Sequence, residues 1–258
     1  MTAPAPRVDM VGKALSLLTR LGDYPQGVLA SELARLSGFP LSTAHRLLGA
    51  LVRDGYAKFD PDTKRYTLGL RVFQLARSVL HAHGLTGVAR PVLEEVSTAT
   101  REATLLAVRD GDRQLYVYSN EGPQQVRVVG DPGKHGPLHC TSQGKVLIAF
   151  APADVREHLV ENVALERRGP NSITDRGRFR DEIATVRSQG YAVADEEHEA
   201  GIRAIGVPVF EGEEAVAALA TAAPAYRMTV DQLLGHRPTL TEAATALAVM
   251  MSLDSGGV

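Results

Sequence analysis

Three short patterns of apolar residues at helical spacing open the chain. They run from Val11 to Leu21, from Val28 to Leu36 and from Leu41 to Val52, each with the period of an amphipathic helix. Gly22 ends the first pattern, and a turn of only about four residues around Gly38 joins the second to the third. Because a helix-turn-helix needs such a short, glycine-containing turn, the pattern predicts this motif.

The third pattern carries a polar face opposite its apolar one. That face consists of Ser42, Thr43, His45 and Arg46. Hydroxyl groups can bond phosphates and base edges, and a guanidinium can reach O6 and N7 of guanine, so the face suits a helix that enters the DNA major groove. A helical block that serves only for dimerisation should instead be apolar here.

Residues 55–68 predict a β-hairpin, because aromatic residues alternate on both sides of a Pro-Asp turn. Lys64 and Arg65 at its tip would form a basic wing that contacts phosphate or the minor groove. An ordinary helical subdomain is the alternative for the three helices alone. The polar face, the short turn and the basic tip together favour a winged helix-turn-helix DNA-binding domain over residues 1–69.

The net charge of −2 is the sum of two opposed parts of the chain. Residues 1–80 carry 11 Lys and Arg against six Asp and Glu, a net charge of +5, whereas residues 81–258 carry 17 against 24, a net charge of −7. This asymmetry indicates one basic module that meets a polyanion and one acidic module with another task.

Several classes of protein are excluded by what the sequence lacks. The single Cys140 rules out a disulfide framework. No apolar run reaches the length of a membrane helix, and the N-terminus lacks the apolar region of a signal peptide. A cytoplasmic protein without membrane contact is therefore expected.

Residues 70–84 are expected to form a linker helix, with Gly84 breaking the pattern and the domain boundary near 80–86. The helix could simply pack, or pair with its twin in a dimer, and both can hold. Beyond it, mixed elements without a βαβ repeat predict an α+β effector-binding domain over 85–258, with an antiparallel sheet. Strands are predicted at 103–109, 114–118, 126–129, 191–194, 204–209 and 216–222, and helices at 88–98, 143–150, 154–162, 177–189 and 230–253.

Five sequence phrases occur in order and together span nearly the whole chain. They are LSTAHRLL at 41–48, YTLG at 66–69, PLHCTSQGK at 137–145, GYAVADEE at 190–197 and AALA at 217–220. With these phrases the chain resembles the IclR family of bacterial transcriptional regulators. The resemblance implies a winged helix-turn-helix, a linker helix and an effector domain with a GAF- or profilin-like sheet.

The resemblance also implies partners and a role. It implies a homodimer or homotetramer that binds a palindromic operator in double-stranded DNA, most often as a repressor of catabolic genes. It further implies a small-molecule effector, an organic acid or an aromatic compound, and neither enzymatic activity nor a cofactor.

Thr141 or Ser142 is the candidate N-cap of the helix that begins near Gln143. Free N–H groups at such a helix start bind carboxylates well, and Gly144 would let the backbone approach a ligand. A plain capped helix is the alternative. By motif, the resemblance implies an effector pocket walled by Val128, Ser142, Gln143, Ala194, Ile202, Ala204, Ala220 and Ala222.

Two departures from the family pattern bear on the effector. Ala220-Thr221-Ala222 stands where some relatives have Ser-x-Ser, and Ala194 stands where an acidic residue is common. Without those hydroxyl groups, the polar groups of a heavily hydroxylated ligand would be buried unpaired. We therefore expect an effector with an apolar or aromatic body and one anionic end.

Enzyme and metal chemistry is not favoured. Cys140 beside His139 could suggest a nucleophile and its base, but neighbours on a strand point to opposite faces, and a buried, inert thiol is the preferred interpretation. His135, His139, Cys140 and His198 match no compact zinc spacing. Asp195-Glu196-Glu197 is expected to form a solvated edge. A metabolite sensor or enzyme whose N-terminal helices serve only for dimerisation stays the alternative function.

Overall fold

The computed structural model describes residues 9–75 and 89–255. The chain divides into two compact units, residues 1–82 and 83–258. Helical residues 70–75 (α4) begin the expected linker helix, whereas its expected continuation, Gly84 and the expected boundary near 80–86 lie outside the described residues. None of the helices described is long and apolar enough to cross a membrane.

The first unit is a three-helix core with a small antiparallel sheet. Its elements are α1 (Met10–Leu21), β1 (Val28–Leu29), α2 (Ala30–Ser37), α3 (Leu41–Arg53), β2 (Ala57–Phe59) and β3 (Arg65–Leu68), with the strands in the order β1-β3-β2. Leu17, Leu33 and Leu48, one from each helix, are fully buried together. Gly38 ends α2 in the left-handed conformation, with φ of 67°, which a residue without Cβ adopts at low cost.

The second helical pattern begins later than its apolar residues suggest. Val28 and Leu29 are extended and pair with Tyr66 and Arg65 of the hairpin. These two residues were predicted as helix, because an apolar pair fits the start of an amphipathic helix as well as a short strand. Pairing with a distant strand decides between the two.

The second unit is a six-stranded antiparallel sheet with helices on both faces, as predicted for an α+β domain. Its strands are β4 (Ala103–Asp110), β5 (Arg113–Asn120), β6 (His135–Pro137), β7 (Ala192–Asp195), β8 (Ile202–Glu211) and β9 (Glu214–Pro224). The strands lie in the order β6-β5-β4-β9-β8-β7. Its helices are α5 (Ala89–Thr100), α6 (Ser142–Ala149), α7 (Ala153–Asn162), α8 (Arg176–Gln189), α9 (Val230–Gly235) and α10 (Arg237–Ser255).

The alternation of side chains along β9 separates two cores. Leu219 packs with residues of α5 and α10 on one face of the sheet. Ala218 packs with residues of α6, α7 and α8 on the other face. Because successive residues of a strand point to opposite faces, Ala220 and Ala222 share the α6 face with Ala218. The α6 face is where the predicted pocket residues lie.

Two predicted elements of the second unit are wrong. Residues 126–129 form no strand, and the edge of the sheet is completed by β6, whose His135 pairs with Leu115. The predicted helix over 230–253 is two helices, which break at His236. Pro238 lies in the first turn of α10, where its missing N–H is tolerated. Helical spacing continues across the break, so periodicity alone does not reveal it.

Candidate functional site

The polar face of α3 is free at the surface of the first unit. Ser42, His45 and Arg46 are exposed and Thr43 is half-buried. Between them, Ala44 is fully buried and turns inward. The Arg46 guanidinium lies 3.5 Å from the sulfur of Met10, which is a weak acceptor. Such a contact is easily exchanged for a phosphate or a base.

The two basic residues of the wing, Lys64 and Arg65, have different surroundings. Lys64 is exposed at the turn, with φ of 57°, and the Asp60 carboxylate closes this turn by accepting from the N–H groups of Asp62 and Thr63. Arg65 donates to the carbonyl oxygen of Gly27 at 2.6 Å. Part of the Arg65 guanidinium therefore fastens the hairpin to the segment before β1, whereas Lys64 carries its charge at the tip.

A cavity of about 460 Å³ lies at the start of α6 in the second unit. Eight of the ten expected effector residues line it: Val128, Thr141, Ser142, Gln143, Ala194, Ile202, Ala204 and Ala222. Ala194, Ala204 and Ala222 are neighbours in register on β7, β8 and β9. These small side chains leave room above the sheet and offer no hydrogen-bonding group to a ligand.

The start of α6 supplies the polar end of the cavity. Thr141 is the N-cap, since its Oγ1 accepts from the N–H of Gly144 at 3.1 Å and donates to the carbonyl oxygen of Pro137 at 2.9 Å. Ser142 and Gln143 are buried, and Nε2 of Gln143 has no hydrogen-bond partner among the described residues. A buried amide N–H without an acceptor costs free energy. Nε2 of Gln143 can therefore donate to an oxygen atom of a ligand.

Gly144 and Ala220 do not line the cavity, which corrects the expectation for both. A Cβ on Gly144 would lie 2.3 Å from the carbonyl oxygen of Leu138, so the glycine lets α6 pack on that backbone. Ala220 is fully buried beside Leu105 and Gly206. A Cβ on Gly206 would lie 2.9 Å from the carbonyl carbon of Ser142. The start of α6 therefore rests directly on β8.

The cavity has further walls at positions that the sequence does not predict. Leu105 and Tyr116 come from the central strands, and His198 comes from the loop after β7. The remaining walls are Arg127, Val129, Gly130, Asp131, Lys134, His135 and Glu199. Arg127 pairs with Glu121, and Lys134 pairs with Asp131 at 3.0 Å. No local motif marks these positions, because the cavity assembles them from separate strands and loops.

Cys140 and His139 lie in a turn before α6, not on a strand. Cys140 Sγ is 3.7 Å from Nδ1 of His198, and His139 Nε2 donates to the carbonyl oxygen of Glu166 at 2.8 Å. Burial raises the pKa of the Cys140 thiol to about 12, so the thiol stays protonated and inert. Within the described residues, no group of three or more His, Cys, Asp or Glu side chains could hold a metal ion.

The acidic run Asp195-Glu196-Glu197 at the end of β7 is only partly accessible to solvent. Asp195 pairs with Arg203 at 2.5 Å, but Glu197 is buried, contrary to expectation. Its carboxylate accepts from the Nζ of Lys145 at 2.7 Å. Lys145 is fully buried and also donates to Glu182 at 2.6 Å and to the carbonyl oxygen of Val193 at 2.5 Å. Lys145 therefore connects α6 to α8, to β7 and to the loop after β7, which also carries His198.

A winged helix-turn-helix followed by a sheet domain with a cavity at the start of α6 defines a DNA-binding regulator with a ligand domain. The model of the IclR helix-turn-helix domain matches residues 10–61, and the model of the bacterial transcriptional regulator IclR C-terminal domain matches residues 77–249. The chain belongs to the IclR family of bacterial transcriptional regulators. Since relatives in this family are named as regulators, the chain is a regulator and not an enzyme.

Relatives match the chain over nearly its full length. The HTH-type transcriptional regulator KipR of Bacillus subtilis is 32% identical over 247 residues, which cover 95% of this chain and 96% of KipR. The HTH-type transcriptional regulator XynR of Escherichia coli is 30% identical over 244 residues, with 94% and 97% covered. An IclR homologue of Microbacterium hydrocarbonoxydans, solved in complex with 4-hydroxybenzoate, is 28% identical with a TM-score of 0.80, covering 93% and 99%.

Proposed function

We propose that this regulator represses catabolic genes by binding a palindromic operator as a homodimer or homotetramer in the cytoplasm. We assign DNA binding to residues 1–69, with Ser42, Thr43, His45 and Arg46 entering the major groove and Lys64 and Arg65 contacting the backbone. We assign the linker between the two parts to residues 70–84 and effector binding to residues 85–258. The observation that carries the effector role is the cavity at the start of α6, where Nε2 of Gln143 has no hydrogen-bond partner among the described residues.

The effector is a small organic acid with an apolar or aromatic body. Its carboxylate accepts from the start of α6 and from Gln143 Nε2, where free N–H groups and the helix dipole favour an anion. Its body lies over Ala194, Ala204 and Ala222, whose methyl groups would leave the hydroxyl groups of a sugar acid unpaired. The 4-hydroxybenzoate bound to the Microbacterium hydrocarbonoxydans homologue is an acid of this kind.

Regulation then proceeds by a shift of population. A dimer presents two α3 helices at the spacing of two half-sites. An effector that prefers one conformation of the second unit changes how the linker helices set that spacing. The ligand can shift the equilibrium only by the difference in its affinity for the two conformations.

The test combines operator binding with calorimetry. Fragments that the protein selects from its source genome supply the operator, and its affinity is measured with and without aromatic monocarboxylates such as 4-hydroxybenzoate. We expect such an acid to bind in calorimetry and to change operator affinity. Tight binding of polyhydroxylated or sugar-like acids alone would contradict the assignment.

A matched pair of variants locates the carboxylate. Gln143→Leu keeps the volume of the side chain but removes its donor, so the affinity for the acid should fall about tenfold or more, as expected for a lost hydrogen bond to a charged group. Gln125→Leu makes the same change on an exposed residue outside the cavity and should leave the affinity unchanged. Equal affinities of the two variants for the acid would contradict the proposed hydrogen bond from Gln143 to its carboxylate.

A further inference from the structure

A second, smaller cleft adjoins the effector cavity. This side cleft has a volume of about 350 Å³ and shares the residues Tyr116, His135 and His198 with the effector cavity. Its other walls come from the edge of β5 and β6, from the turn at His139, and from the segment 163–168. Because three side chains belong to both spaces, a ligand in the effector cavity lies directly beside the side cleft.

The groups at the boundary are hydrogen-bond donors. Gln114 Nε2 donates to the Tyr116 oxygen at 2.8 Å, which leaves the Tyr116 O–H free to donate. Cys140 Sγ lies 3.7 Å from Nδ1 of His198, and Nε2 of the same ring has no hydrogen-bond partner among the described residues. Burial and the charge of Arg168 both lower the pKa of His198 and support the neutral form.

Two guanidinium groups extend this set of donors into the side cleft. Arg113 is exposed at the start of β5 and has no ion pair among the residues described. Arg168 has one contact to the Glu166 carboxylate at 3.3 Å, which leaves most of its five N–H groups unused. The acceptors in the cleft are the carboxylates of Asp112 and Glu166. Both guanidinium groups keep N–H groups that can still donate, and guanidinium groups match the geometry of a carboxylate.

We propose that the effector is a dicarboxylic acid that occupies both spaces. One carboxylate lies at the start of α6, the apolar body passes Tyr116 and His198, and the second carboxylate lies between Arg113 and Arg168. This inference rests on the proposed function, since it adds a second anionic end to the acid bound at α6.

Matched pairs of acids test the proposal by calorimetry on the full-length protein. Terephthalate is compared with 4-methylbenzoate, and adipate with hexanoate, so that each pair differs only in whether the far end is a carboxylate or a methyl group. In at least one pair, we expect the dicarboxylate to bind about tenfold more tightly or better, in line with a charge-assisted pair in a partly enclosed site.

Variants then assign the preference to the side cleft. Arg168→Gln and the exposed Arg113→Gln should each remove most of the preference and leave the affinity of the monocarboxylate unchanged. Arg180→Gln, which removes an exposed guanidinium on α8 outside both spaces, should keep the preference. The proposal is overturned if the monocarboxylate binds as tightly as its partner, or if both cleft variants keep the preference. If no acid of either pair binds, the acid effector of the proposed function fails as well.

Discussion

Cys140 and His198 illustrate how burial decides the chemistry of a single side chain. A thiol next to an imidazole is the pairing found in cysteine nucleophiles. Here the thiol is fully buried and burial raises its pKa to about 12. Burial also lowers the pKa of His198. Both groups are therefore neutral, and the contact serves to orient the imidazole rather than to create a thiolate.

Arg46 provides a prediction for DNA recognition. Arg46→Ala should weaken operator binding by about 1–3 kcal/mol, the value of a guanidinium that bonds a guanine edge. Its side chain is exposed and its only described contact is to Met10, so the domain should stay folded. Fluorescence anisotropy with the selected operator measures the affinity. Arg180→Ala is the control, and unchanged affinity and salt dependence in Arg46→Ala would reject the assignment.

His139 provides a prediction for pH. Burial and the charges of Arg168 and Arg176 lower its pKa, against the opposing effect of its bond to Glu166. The unfolded state therefore binds the proton more readily below the ordinary pKa of 6.5. The contribution to stability is complete above that pH and falls as the pH decreases.

Urea unfolding at pH 7.5 and 5.5 measures this effect. Wild type should lose more free energy of unfolding on acidification than His139→Gln, by an amount on the order of 1 kcal/mol. His158→Gln, at an exposed position on α7, should behave as wild type. An identical loss in wild type and His139→Gln would show that His139 does not carry the dependence.

At the scale of elements, α6 is placed by two glycines and by one buried lysine that forms two ion pairs. Gly144 lets the helix meet the backbone of Leu138, and Gly206 lets it rest on β8. Lys145 then fastens it to Glu182 of α8 and to Glu197 beside His198. The start of α6, which faces the cavity, is therefore held by backbone contacts and by charge.

Lys145→Met should destabilise the second unit by about 3–5 kcal/mol, because the change leaves the Glu197 carboxylate buried without its partner. The double variant Lys145→Met/Glu197→Gln removes both charges and should recover part of that loss. Urea unfolding of the double variant and of the two single variants, Lys145→Met and Glu197→Gln, measures the difference. A double variant as unstable as the sum of the two single changes would show that the pair makes no coupled contribution.

At the scale of the whole molecule, the sign of the charge differs between the two parts of the chain. Residues 1–80 carry a net charge of +5 and residues 81–258 a net charge of −7. An acidic second part is repelled by phosphates, which leaves contact with DNA to the basic one. The overall charge of −2 hides this division.

A palindromic operator requires two copies of the basic part. Light scattering should give twice or four times the chain mass of 27.6 kDa. Titration of one operator should saturate at two chains per palindrome for a dimer or at four for a tetramer, with half-sites about one helical turn apart. Shortening the operator to one half-site should weaken binding strongly. Saturation at one chain per operator, with equal affinity for a half-site, would contradict the binding of two chains to one palindrome.

Features that depend on local spacing could be predicted from the sequence. The inward face of α3 follows from the period of a helix, a cap at Thr141 or Ser142 follows from the chemistry of a hydroxyl side chain, and the shared face of Ala220 and Ala222 follows from the period of a strand. Of the eight cavity walls that the family phrases imply, seven line one space. The face of an element and the cap of a helix are each set within a few residues of chain, whereas the cavity walls come from separate segments that the resemblance identifies.

Only the tertiary structure decided the contacts between distant segments. Cys140 meets His198 across 58 positions, and Lys145 meets Glu197 across 52. The extended conformation of Val28 and the edge strand at His135 likewise depend on a partner strand. The side cleft belongs to the same group. Sequence periodicity reports which face of an element is apolar, whereas the packing of one element on another determines which polar groups on those faces finally meet.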